Sequence, residues 1–110
     1  MKKDPKIFLQ HILESIDEIE KYTKNISKQA FLTSTQVQDA VIRRLEIIGE
    51  ATKDIPASIK NQSKNIPWKE LAGTRDVLIH GYFRVDTELV WDTITHDLKK
   101  LKKEIRKILG

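Results

Sequence analysis

Near the C-terminus, Trp91, Ile94, Leu98, Leu101, Ile105 and Ile108 recur at steps of 3, 4, 3, 4 and 3. That spacing keeps all six on one stripe of an α-helix for nearly three heptads. A strand cannot offer such a stripe, because its side chains alternate with period two. The chain must therefore lay a long helix against other elements.

The remaining elements also read as helices. Asp4-Pro5 is an N-cap followed by proline at the first helical position. Phe8, Ile12, Ile16, Ile19 and Ile26 then predict a helix over about 5–25. Thr33 and Gln36 are spaced as a capping box, and Val37, Val41, Leu45, Ile48 and Ala51 carry a second helix to about Lys53. Ile55-Pro56 ends it, since proline disfavours the α conformation in the residue before it. Residues 57–60 are suited to one short helical turn. Pro67 opens a third long segment, over about 68–80, with Gly81 as its stop. Asp86 caps the last helix, with Glu88 in its first turn. No alternating run of β-branched residues marks a strand. The expected fold is all-α, an up-and-down four-helix bundle with a short additional helix between the second and third, in one domain over residues 1–110.

Composition narrows the chemistry. A chain of 110 residues fits one domain. There is no cysteine, so disulfides, thiolate metal sites and cysteine nucleophiles are excluded. The longest apolar runs are three residues, too short for a membrane span. The charged N-terminus lacks an apolar h-region, so a cytoplasmic protein is expected. None of Gly49, Gly73, Gly81 and Gly110 belongs to a phosphate-binding loop or dinucleotide fingerprint. No His-x-x-x-His pair is present, and no metal or cofactor is expected.

The charge is uneven. Residues 96–110 hold six Lys or Arg against two acids, a surplus equal to the whole net charge of +4. A basic strip of this kind suits nucleic acid, although a solvated helix face is the ordinary reading.

One constellation stands apart. Arg75, Asp76, His80 and Tyr82 gather within eight residues at the predicted helix end. Asp76 and His80 are four apart and face each other across one turn, so the carboxylate can fix the tautomer of the imidazole and raise its pKa. Arg75 and His80 are five apart, about 140° around an ideal helix. Either the helix unwinds before Gly81 or a second copy of the chain completes the pair. A histidine titrating near neutrality can take a proton from a ribose 2′-hydroxyl or give one to a leaving 5′-oxygen. A guanidinium can hold the phosphate and stabilise transition-state charge. Spacing alone equally allows a helix end with Arg-Asp packing and a C-terminal histidine.

The stretch Arg75-x4-His80-x-Tyr82 resembles the motif of HepT-like proteins of the HEPN superfamily. Residues 40–53 (Ala-Val-Ile-Arg-Arg-Leu-Glu-Ile-Ile-Gly-Glu-Ala-Thr-Lys) resemble that family's second helix. Residues 66–73 resemble the approach to the motif, and residues 82–86 with Val90-Trp91 resemble the segment after it. The resemblance implies a prokaryotic HEPN-like helical bundle that dimerises, with motif residues lining a cleft between two copies. It implies the toxin of a toxin–antitoxin pair, a metal-independent endoribonuclease acting on RNA such as tRNA or mRNA. The implied antitoxin is a minimal, MntA-like nucleotidyltransferase that transfers AMP from ATP onto Tyr82, in a homodimer or a larger hetero-oligomer. In this scheme Arg75 binds the scissile phosphate, His80 is the general acid or base and Asp76 orients it. Lys69, Arg84, Arg43 and the basic last helix are candidates for holding RNA. Arg43, Arg44, Glu46 and Glu50 fall on the polar side of the second helix. Trp68, Phe83 and Trp91 are candidates for the dimer contact, with monomer core the stronger reading for Trp91. The alternative function is a non-catalytic RNA- or nucleotide-binding dimer, or a regulatory partner subunit of the nucleotidyltransferase.

Overall fold

The computed structural model describes residues 4–74 and 85–110. Among them the chain is helical, with no β-strand. The first helix, α1 (Lys6–Thr23), starts as expected. The Lys6 backbone N–H donates to Asp4 Oδ1 at 2.9 Å, and Pro5 already has helical dihedrals. Leu9, Ile12, Ile16 and Ile19 form its inner face, each at most 1% exposed. Burying a side chain of this size contributes on the order of 2 kcal/mol. Leu9 belongs to this face although the sequence pattern began at Phe8. The helix stops where Lys24 turns extended and Asn25 takes a left-handed φ of 62°, a conformation asparagine tolerates better than most residues.

A short helix, α2 (Lys28–Thr33), then appears where the sequence suggested none. Ser27 caps it, its hydroxyl accepting from the Ala30 N–H at 3.1 Å. Its Phe31 is fully buried. This moves the start of the next helix, α3 (Thr35–Lys53). The cap is Ser34, whose Oγ accepts from the Val37 N–H at 3.2 Å, and not Thr33. The Thr33 hydroxyl instead donates back to the Gln29 carbonyl at 3.0 Å, inside α2. The Gln38 amide donates to the Phe31 and Leu32 carbonyls at 2.9 and 3.1 Å, supplying partners that the end of α2 lacks internally. Along α3, Val41, Leu45, Ile48 and Ala51 face inward as the spacing predicts.

The turn expected after Pro56 is α4 (Ala57–Lys60), which buries Ile59. Pro67 precedes α5 (Trp68–Ala72), and Thr74 is again helical. The rest of the predicted third segment, including Gly81, lies outside the described residues. Asp86 caps α6 (Thr87–Asp92), its Oδ1 accepting from the Leu89 N–H at 3.0 Å.

The last helix is not uniform. Thr93–Asp97 form a π-helical segment between α6 and α7 (Leu98–Leu109). The buried residues run Val90, Ile94, Leu98, Leu101 and Ile105. Their steps of 4, 4, 3 and 4 accommodate one extra residue. Trp91, expected on the seam, is half-buried and packs instead on Phe31 of α2, ring centroids 5.2 Å apart.

Helix α1 packs along α3 and against α7. Across the second contact Lys102 of α7 reaches Asp17 Oδ1 at 3.2 Å and Glu20 Oε1 at 2.7 Å. The hydrogen bond to Glu20, with that to Asp17, holds the Lys102 ammonium above its ordinary pKa, against the opposing effect of desolvation.

Candidate active-site cleft

Two contacts seat α5. At its start the Trp68 indole N–H donates to both the Lys60 and Ser63 carbonyls, at 3.2 and 3.0 Å. This ties the 61–67 connection to the helix. At its end the Leu71 and Ala72 carbonyls approach Gly49 of α3 so closely that a Cβ there would stand 3.2 Å from the Leu71 oxygen. Helix α5 therefore lies tight on α3 and delivers Thr74, whose hydroxyl donates to the Glu70 carbonyl at 3.1 Å. Arg75 follows directly in sequence.

Beside this junction opens a cleft of about 530 Å³. Leu45 and Ile48 of α3 line it, together with Leu71 of α5 and Thr74 just beyond that helix. Leu98 and Leu101 of α7 stand opposite, with Thr93 from the π segment. The rim is charged: Glu70, Asp97, Lys100 and Glu104. Glu104 is itself anchored. Its Oε2 accepts from the Ser63 hydroxyl at 3.0 Å, and its Oε1 pairs with Lys107 at 3.4 Å. The Ser63 hydroxyl first, and Lys107 with it, hold its carboxyl below the ordinary carboxylate pKa. The cleft thus combines an apolar lining, suited to a flat hydrophobic group such as a base, with a rim of both charges.

Among the proposed site residues, Arg75, Asp76, His80, Tyr82 and Arg84 lie outside the described residues, as does Phe83. What the structure describes is the approach: the cleft reaches Thr74, one residue before Arg75. Lys69 and Arg43 are exposed, and neither lines the cleft. Arg44 lies close enough to Glu18 of α1 to help lower its pKa, behind the larger effects of Lys21 and Tyr22. Glu50 pairs with Lys53 at 3.1 Å on the exposed side of α3. Trp68 and Trp91 are each engaged within the monomer. His11 and His96 are exposed. Among the described residues no cluster of three or more His, Asp or Glu is placed to hold a metal ion, and no helix is long and apolar enough to cross a membrane. Sequence reasoning put Lys100 only on the basic strip and missed its place on the cleft. The signal was the Val90, Ile94, Leu98 spacing, which rotates α7 relative to α6.

Comparison with known proteins identifies the family. The family model described as ribonuclease HepT-like matches residues 12–108. A Methanocaldococcus jannaschii protein named gamma-glutamylcyclotransferase and putative RNase is 54% identical over 99% of this chain. The chain spans only 49% of that relative's length. A putative RNase of the same organism is 47% identical, covering 98% of this chain and 89% of its own. A probable ribonuclease HepT of Thermococcus cleftensis is 45% identical over 98% of both chains. No solved structure matches. All-helical among its described residues and matched over residues 12–108, the chain belongs to the HepT-like ribonuclease family.

Proposed function

We propose that this chain is a metal-independent endoribonuclease, the toxin of a toxin–antitoxin pair. The observation that carries the reading is the Arg75, Asp76, His80, Tyr82 constellation in a chain of the HepT-like family, following directly on a residue that lines the cleft. His80 takes the proton of a ribose 2′-hydroxyl, and the 2′-oxygen attacks the neighbouring phosphorus. The bond to the 5′-oxygen breaks and that oxygen takes up a proton, leaving a 2′,3′-cyclic phosphate and a 5′-hydroxyl. Arg75 binds the phosphate and stabilises the charge that builds on it. Asp76 orients His80 from one turn away. An arginine and an imidazole supply both charge and proton, so the step does not call for a metal.

Arg75 and His80 lie about 140° apart on an ideal helix, and in this reading a homodimer in which two copies complete one site brings them together. Tyr82 is the control point. A cognate minimal nucleotidyltransferase moves AMP from ATP to its oxygen, with pyrophosphate leaving. The added phosphodiester places bulk and negative charge two residues from His80, where it repels an RNA phosphate. Lys69, Arg84 and Arg43 provide further charge for RNA.

The test is RNA cleavage in EDTA by protein shown by intact mass to be unmodified at Tyr82. Cleavage that disappears in His80→Ala and Arg75→Ala supports the reading. No cleavage of several RNAs, tRNA included, overturns it in favour of a binding or regulatory subunit.

A further inference from the structure

The outer face of α7 carries Lys99, Lys100, Lys103, Arg106 and Lys107, all exposed. At 100° per residue they fall within a sector of about 120°, and at 1.5 Å per residue they extend about 12 Å along the axis. We infer that this face is a track for the phosphodiester backbone of single-stranded RNA, entered from the cleft at Lys100. The inference rests on the ribonuclease reading and names the surface that holds the substrate outside the site.

Three observations carry it. First, the cations of α7 are divided in use. Lys102 is committed to Asp17 and Glu20, with its side chain 21% exposed, so it neutralises the acids of α1 beside the strip. Lys107 pairs with Glu104. Lys99, Lys100, Lys103 and Arg106 have no acidic partner within salt-bridge distance among the described residues. Lys99 and Lys103 are like charges at i, i+4, and Lys100 with Lys103 and Lys103 with Arg106 are like charges at i, i+3. Such pairs destabilise a helix, whereas an ordinary solvated face intersperses acids that relieve them.

Second, the strip is continuous with the cleft. Lys100 and Thr74 both line the cleft, and Thr74 precedes Arg75 in sequence. A strand that occupies the cleft can leave past Lys100 and run along α7 beside Lys99, Lys103 and Arg106.

Third, the face has no apolar centre. The hydrophobic residues of α7 are buried or half-buried on the opposite side. A protein partner would seek an apolar patch within the contact. A phosphate backbone asks for cations without base-reading groups, and its binding is sequence-independent.

The test is fluorescence anisotropy with a labelled, uncleavable 2′-O-methyl RNA of twelve nucleotides at graded salt. Three proteins are compared: wild type, the Lys99→Gln/Lys100→Gln/Lys103→Gln/Arg106→Gln variant, and Lys102→Gln. The quadruple variant should bind at least about tenfold more weakly at 0.1 M salt. Its slope of log affinity against log salt should be shallower by up to about 2.8, four contacts at about 0.7 each for a single strand. Lys102→Gln should melt lower yet keep the wild-type slope. If the quadruple variant does not fold, Lys99→Gln and Lys103→Gln singly should each remove about 0.7 of slope, and the triple Lys→Arg replacement at 99, 100 and 103 should keep it. A folded quadruple variant with wild-type slope and affinity overturns the track, even where wild type cuts RNA. Wild type that binds in this pattern but never cuts leaves the track standing and overturns the nuclease.

Discussion

Gly49 of α3 supports Leu71 of α5 through bare backbone: a Cβ at position 49 would lie 3.2 Å from the Leu71 carbonyl oxygen and 3.5 Å from that of Ala72. The five-residue helix α5 ends there, and Arg75 comes three residues after Ala72.

Gly49→Ala should therefore move the site more than it moves stability. In free helix the change would gain up to about 1 kcal/mol. Here the contact opposes that gain, because a backbone carbonyl must shift by a few tenths of an ångström. The melting temperature should stay within a few degrees of wild type. RNA cleavage should fall about tenfold, since displacements short of 1 Å at catalytic groups cost up to about 100-fold. Equal activity in a folded Gly49→Ala protein would show that this close packing does not position the motif.

Much of this framework is legible in the sequence, and each exception has its own physical cause. The inner faces of α1, α3 and α7 follow from periodic isoleucines and leucines, and Asp4 and Asp86 mark the starts of α1 and α6 because a short carboxylate can reach a free backbone N–H. Helix α2 was missed because six residues are too few to show a period, and its evidence is the cap at Ser27 and a single buried Phe31. That hidden helix also moved the cap of α3 from Thr33 to Ser34. The π segment was hidden by a heptad pattern that fitted well. Thr93 and Thr95 bend their hydroxyls back to the Leu89 and Trp91 carbonyls at 2.8 Å, and the true inner residue is Val90 rather than Trp91. For the site, Arg75, His80 and Tyr82 are legible as a motif. The cleft wall is not, because it depends on how α5 and α7 rotate against α3.

Ser15 offers a stability test independent of function. It lies on the inner face of α1 at 0% exposure, and its hydroxyl has no hydrogen-bond partner among the described residues. Burying an unsatisfied hydroxyl costs about 1–3 kcal/mol, and alanine removes the group with little change of volume. Ser15→Ala should raise stability by about 1 kcal/mol, or about 4 °C in melting temperature for a domain of this size. Thermal melts followed by circular dichroism measure it, and a lower melting temperature would mean that the hydroxyl is satisfied in solution.

The Ser63–Glu104 bond predicts a feature of the acid limb. The folded protein holds the Glu104 carboxyl below its ordinary value of 4.5. A depressed carboxylate adds stability above its unfolded pKa, and that stability is lost as pH falls through the lowered folded value. Ser63→Ala removes the first cause of the depression. Its melting temperature should lie below wild type at pH 7, and the gap should narrow as pH falls below 4.5. A gap of the same size at pH 7 and pH 3 would assign the loss to packing of the 61–67 connection and not to ionisation.

Tyr82→Phe separates cleavage from its control. The proposed acid–base work belongs to His80 and the phosphate to Arg75, so removing one phenolic oxygen should leave cleavage within a few-fold of wild type. The same oxygen is the proposed acceptor of AMP, and phenylalanine has nothing to attack the α-phosphorus of ATP. With the cognate nucleotidyltransferase and ATP, wild type should gain mass in whole AMP increments and stop cutting RNA. Tyr82→Phe should gain none and keep cutting, and in cells it should be toxic whether or not the nucleotidyltransferase is co-expressed. Mass gain on the phenylalanine variant would place the modification elsewhere. Loss of cleavage in that variant without AMP would make Tyr82 part of the cutting machinery itself.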